Sequence, residues 1–162
     1  MKSWLRNGVA AAITLLALSG TQVPALAQSA QDRRGQEQHR LEGIWDVSVT
    51  VQSCATGAAL FTGRAVLMFI DGGTLTEIAD RSNRSAGLGT WRHLAGSSYT
   101  AREKFIDYTA AGAFNGTEVI TREIELGKNA DEYTATATTQ VFNSADQLIN
   151  TGCATSTATR FE

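Results

Sequence analysis

Residues 43–54 read Gly-Ile-Trp-Asp-Val-Ser-Val-Thr-Val-Gln-Ser-Cys, and residues 148–160 read Leu-Ile-Asn-Thr-Gly-Cys-Ala-Thr-Ser-Thr-Ala-Thr-Arg. Both stretches alternate with a period of two, and in a strand successive side chains point to opposite faces. Trp45, Val47, Val49 and Val51 therefore share one face of the first stretch, and Asp46, Ser48, Thr50 and Cys54 share the other. In the second stretch Cys153 falls with Thr155, Thr157 and Thr159, opposite a face of Gly152, Ala154, Ser156 and Ala158. Setting Cys54 across from Cys153 in an antiparallel pair puts Val47 across from Arg160. It also joins polar face to polar face and sets the valines against the small residues. A first strand paired with the last leaves the sheet no free edge, which closes a barrel. A disulfide between Cys54 and Cys153 would then staple the closure from outside.

The chain between these stretches supplies the other strands. The only proline, Pro24, precedes them, and Thr, Val, Ile and aromatic residues alternate there with Gly, Asn and Asp clusters, which are strand and hairpin signals. Strands are expected at 43–53, 59–70, 74–79, 88–94, 99–108, 113–126, 132–142 and 147–160. Tight turns separate them except at 80–87 (DRSNRSAG). No sustained helical repeat occurs after the leader. The expected fold is all-β: an eight-stranded antiparallel up-and-down barrel.

The N-terminus is of another kind. Lys2 and Arg6 precede an uncharged run from Gly8 to Leu18, and Ala25-Leu26-Ala27 forms a small-residue exit, the order of a removable signal peptide. Residues 1–27 are read as that leader and 28–40 (QSAQDRRGQEQHR) as a polar, disordered lead-in. Residues 41–162 form the barrel domain. A periplasmic or secreted location follows, and in such an oxidising compartment two cysteines pair. No membrane-spanning segment is expected in the mature chain. Of the 14 Lys and Arg, Lys2 and Arg6 leave with the leader, so twelve basic face sixteen acidic residues. That balance, spread without a basic stripe, excludes nucleic acid as a partner.

Gly43-Ile44-Trp45 at the start of the first strand and Arg160 near the end of the last resemble the signature of the lipocalin-like, or calycin, superfamily. The resemblance implies that Trp45 plugs the closed end of the barrel and that Arg160 packs across it, within reach of a cation–π contact. Gly43, Trp45 and Arg160 are thus structural. The domain is also similar to a family of exported bacterial proteins sharing stretches such as Gly89-Thr90-Trp91, Tyr99-Thr100-Ala101, a Cys-containing terminal strand and a final Ala-Thr-Arg-Phe-Glu (158–162). That similarity implies a fold and no particular chemistry. One departure stands out: only a tight turn at 55–57 lies where lipocalins carry a lid loop and fatty-acid-binding proteins two helices.

If the first strand leaves the closed end, the loops at 55–58, 80–87, 109–112 and 143–146 rim an open mouth, with Arg81 and Arg84 on the longest. These arginines attract an acidic headgroup or are simply solvated. Alternation groups Tyr99, Ala101, Glu103 and Phe105 on one face, and Phe114, Gly116, Glu118, Ile120, Arg122 and Ile124 on a face of the next strand. Two orientations remain open, inward or, after a parity shift at a bulge, toward water. Inward, Glu103 would lie near Glu118 and Tyr99 near Arg122. Paired carboxylates in a low-dielectric cavity raise one another's pKa and suit acid–base work; alternatively Arg122 neutralises them and holds a ligand carboxylate. His93, the sole histidine inside the domain, is the one candidate for a haem ligand, and a surface role explains it as well. No cofactor and no metal are expected.

Three functions follow. The leading expectation is an exported binding protein for a small hydrophobic or amphipathic molecule, in a lumen lined by Val47, Val49, Val51, Phe105, Phe114, Ile120, Arg122 and Tyr133. The alternatives are an isomerase or cyclase using Glu103, Glu118 or Tyr99, and an envelope interaction module with a filled barrel. Oligomeric state is left open.

Overall fold

A computed structural model describes residues 40–161. The leader and all of the lead-in but Arg40 lie outside the described residues. Eight strands form: β1 Gly43–Gln52, β2 Ala59–Ile70, β3 Thr74–Ala79, β4 Gly87–Ala95, β5 Ser98–Tyr108, β6 Phe114–Leu126, β7 Glu132–Asn143 and β8 Leu148–Arg160. Each pairs antiparallel with its neighbour in sequence, and β1 pairs with β8, so the sheet closes in the order β1 to β8. Every strand boundary falls within one residue of its expected place. Period-two alternation is easy to read here because Thr and Ser hold the wet face of β1, β7 and β8 while Val and Ala hold the dry one.

The closing register differs from the expected one. Trp45 pairs with Arg160 and Gln52 with Cys153, so Val47 faces Ala158 rather than Arg160. Cys54 lies beyond the end of β1, in a turn closed by a 2.8 Å bond from the Gly57 amide to the Ser53 carbonyl. From there it reaches Cys153 with the Cα atoms 5.2 Å apart. A disulfide requires that proximity and not a directly opposed pair, which is why reading the cysteines as opposite neighbours mis-set the register by two. Two is an even number, so no side chain changes face. Trp45, Val47, Ala154, Ser156 and Ala158 are buried, and Cys153 lies on the outer face with the threonines.

The closed end is filled. The Trp45 and Tyr133 rings meet edge-on at 4.9 Å, Phe69 packs against Trp91 at 5.9 Å, and Leu41, Leu67 and Leu75 complete the layer. The Arg160 guanidinium lies 4.3 Å from the Trp45 ring centre, as the resemblance implies. It donates to the carbonyls of Glu42 (2.7 Å), Arg40 (2.8 Å) and Ala130 (2.8 Å), satisfying groups that the sheet leaves over. Gly43 is required beside it: φ is +123°, and a Cβ there would stand 2.6 Å from Arg160 Nη1.

Candidate functional site

The opposite end holds a cavity of about 70 Å³. Val49, Val51, Ala65, Ala79, Ile120 and Ala154 form an apolar wall, and Glu77, Arg84, Glu118 and Arg122 a charged one. Asp80 and Arg81 stand at its rim. Small residues on β7 and β8 leave the space: across the seam Val49 faces Ser156 and Val51 faces Ala154, large against small.

The charged wall is a chain of alternating sign. Arg84 Nη1 donates to Glu118 Oε2 at 2.9 Å and Arg84 Nη2 to Glu77 Oε1 at 3.0 Å. Arg122 Nη2 donates to the other oxygen of Glu77. Arg122 Nη1 also lies 2.6 Å from Glu103 Oε1, off the direction of a hydrogen bond. The order is Glu118, Arg84, Glu77, Arg122, Glu103. Each carboxylate comes from a different strand: Glu77 from β3, Glu103 from β5 and Glu118 from β6. Burial pushes the Glu103 carboxyl up to about 8, with Arg122 opposing and Glu77 reinforcing the shift. At neutral pH Glu103 therefore keeps its proton, and the two remaining carboxylates match the two guanidiniums. Burial also opposes charge on Arg122, yet the Glu77 carboxylate, first among its acidic neighbours, outweighs it and holds Arg122 cationic.

The long loop does more than rim the mouth. The Asn83 carbonyl accepts from the Tyr108 amide (2.8 Å), and the Ser85 amide donates to the Ile106 carbonyl (2.9 Å), so the loop lies along the end of β5. That placement drives Arg84 inward: its side chain is 7% exposed, and its guanidinium sits 3.7 Å from the centre of the Phe105 ring. Arg81 stays at the surface, 4.0 Å from Glu118 and 5.4 Å from the Phe61 ring.

The β5 and β6 faces named from the sequence do point inward, with three corrections. Glu103 pairs with Ile120 and Phe105 with Glu118, so Glu103 and Glu118 are not neighbours. Tyr99 pairs with Ile124, not with Arg122, and belongs to the closed-end layer. Phe114 is 51% exposed and lies in an outer groove with Leu88 and Ile106. The cause of all three is the β5–β6 hairpin. Tyr108 pairs with Phe114 and Asp107 with Gly116, leaving Asn115 as an extra residue at a bulge where Gly116 takes φ +147°. Of the expected lining, Val49, Val51, Ile120 and Arg122 border the cavity. Val47, Phe105 and Tyr133 are buried inside the barrel without bordering it.

Glu77 escaped the sequence reading. The alternation Leu75, Glu77, Ala79 was the available signal, but hydropathy alone would turn Ile78 inward, and Ile78 is in fact 66% exposed. His93 contacts the Gly96 carbonyl through Nε2 at 2.9 Å, at the closed end and away from the cavity. Among the described residues no group of three or more His, Cys, Asp and Glu is placed to hold a metal, and no helix is long and apolar enough to cross a membrane. No protein-family model matches the chain, and no curated protein is similar to it.

Proposed function

We propose that this chain is an exported, lipocalin-like barrel that binds a small amphipathic molecule at its mouth. The observation that carries the reading is the two-sided cavity: one wall mostly aliphatic with Thr139 and Ser156 among its members, the other made of buried ion pairs, at the end of the barrel not plugged by Trp45. Apolar burial supplies affinity in such a site and a few placed polar groups supply orientation. The Cys54–Cys153 disulfide suits an oxidising, extracytoplasmic compartment. At about 70 Å³ the cavity is well below the roughly 300–1,000 Å³ of pockets for drug-sized ligands. The ligand is accordingly a short chain or small ring, unless Arg84 withdraws. Acid–base catalysis receives less support, because Glu103, the carboxyl that keeps its proton, does not border the cavity.

The test combines mass spectrometry of solvent extracts, from protein purified out of its own compartment, with methyl NMR during titration by a panel of short-chain amphiphiles. A co-purifying molecule and shifts confined to the methyls of Val49, Val51 and Ile120 are expected. Clean extracts together with unmoved methyl signals across the panel would sink the reading.

A second reading, docking of the outer surface on another copy of the chain, draws on a separate observation. Ile44, Val66, Met68, Ile70 and Ile78 form an exposed aliphatic face on β1 to β3, with Leu88 beyond it on β4. Sedimentation velocity tests it: a concentration-dependent dimer that Met68→Asp dissociates supports it, and a monomer at every concentration removes it.

A further inference from the structure

The guanidinium of Arg84 occupies a receptor that its own loop does not supply. Glu77 takes one edge at 3.0 Å, Glu118 the other at 2.9 Å, and the Phe105 ring lies against its face at 3.7 Å. These three residues come from β3, β6 and β5, the rigid wall of the barrel, whereas Arg84 comes from the connection between strands. Two carboxylates and an aromatic face are the complement of a planar or compact cation. That they fit one needs no docking argument, since one is seated there. The adjoining cavity continues from this point onto Val49, Ala65, Ala79 and Ile120.

We infer that the Glu77–Glu118–Phe105 cage is the head-group site for a cationic amphiphile, a guanidinium or primary ammonium on a short apolar body, and that Arg84 is its intramolecular placeholder. The inference rests on the reading of the cavity as a ligand site and narrows it to one class. Charge balance supplies the selectivity. With Glu103 neutral, Glu77 and Glu118 are matched by Arg84 and Arg122. Withdrawing Arg84 leaves Glu118 with only the exposed Arg81 at 4.0 Å, and breaking a buried pair by removing one partner is strongly unfavourable. A ligand cation repairs that loss, while a neutral or anionic ligand of the same shape does not. The apolar wall then favours a short alkyl body over a bare guanidinium ion.

The experiment titrates the mature, disulfide-bonded protein with n-butylguanidinium, its neutral isostere n-butylurea, and butyrate, by calorimetry and NMR. The guanidinium compound is expected to bind, to shift the Ile120 and Val49 methyls, and to move the Arg84 Nε–H signal toward that of a solvated arginine. Arg84→Ala removes a competitor of millimolar effective concentration and should tighten that binding by at least about tenfold. Glu118→Gln should weaken it by about the same factor. If Arg84→Ala does not fold, the Arg84 signal in the wild type decides alone. Binding of butylurea or butyrate as tight as that of the cation, or cation binding that leaves the Arg84 signal in place, overturns the inference while the small-molecule reading survives. Silence from all three compounds in both proteins overturns the inference, and clean extracts from the native compartment are then needed to bring down the broader reading with it.

Discussion

Replacing Glu103 with glutamine probes the ion chain most directly, because Glu103→Gln keeps the shape of the protonated side chain and removes its titration. Burial raises this carboxyl from an ordinary value of 4.5 to about 8. Its folded value lies above its unfolded one, so the proton is held more tightly in the fold. Its stabilising contribution is complete below about pH 4.5 and is lost as the pH rises through about 8. One pH unit inside that window is worth up to about 1.4 kcal/mol per group. Between about pH 5.5 and 7.5 the wild type should therefore lose about 2.5 kcal/mol relative to the variant. The assay is urea unfolding followed by tryptophan fluorescence at half-unit pH steps, with the disulfide intact and free energies taken from midpoint and slope. Asp107, which burial and Glu118 also push upward, titrates in both proteins and drops out of the difference. A difference that stays flat across this window would mean that Glu103 is not held neutral beside Arg122, and the charge balance derived for the cavity wall would fail.

Three further outcomes follow from the closed end and the seam. Replacing Cys54 and Cys153 together with serine opens a bridge of sequence separation 99 and should cost about 4.7 kcal/mol by loop entropy, read as a lower urea midpoint. Arg160→Ala strips three backbone carbonyls of their donor and Trp45 of its cation, which should cost about 2–4 kcal/mol and shift Trp45 emission. Gly43→Ala sets a Cβ 2.6 Å from Arg160 Nη1 at a φ of +123°, so its loss should match that of Arg160→Ala, and the double variant should lose less than the sum.

Strand positions and faces were legible in this sequence because Thr, Val and Ala alternate cleanly, so even a register wrong by two left every residue of β1 and β8 on its proper side. Register itself was not legible, since Cys54 sits in a turn and the strands flanking it offer no other fixed point. The site divides in the same way. Arg122 and Glu118 were readable as inward by parity, whereas their partners were not. Glu77 is adjacent to the more hydrophobic but exposed Ile78, and in Asp-Arg-Ser-Asn-Arg-Ser nothing marks Arg84 rather than Arg81 as the one that enters. Phe114 failed for a local reason, the extra residue at Asn115, which one-dimensional alternation cannot anticipate.

A hoop parts at its weakest joint, and the disulfide decides which joint that is. With β1 and β8 tied covalently at the mouth and Arg160 bonded to the Glu42 and Arg40 carbonyls at the closed end, parting of that seam is suppressed, and the shortest lateral contact is the four residue pairs between β3 and β4. That joint adjoins the segment carrying Arg84 and bears Glu77 itself. Amide exchange at Thr74–Glu77 and Gly87–Thr90 should outpace exchange along β7 and β8, and the same breathing that loosens this joint would admit a guest while the Trp45 layer stays shut.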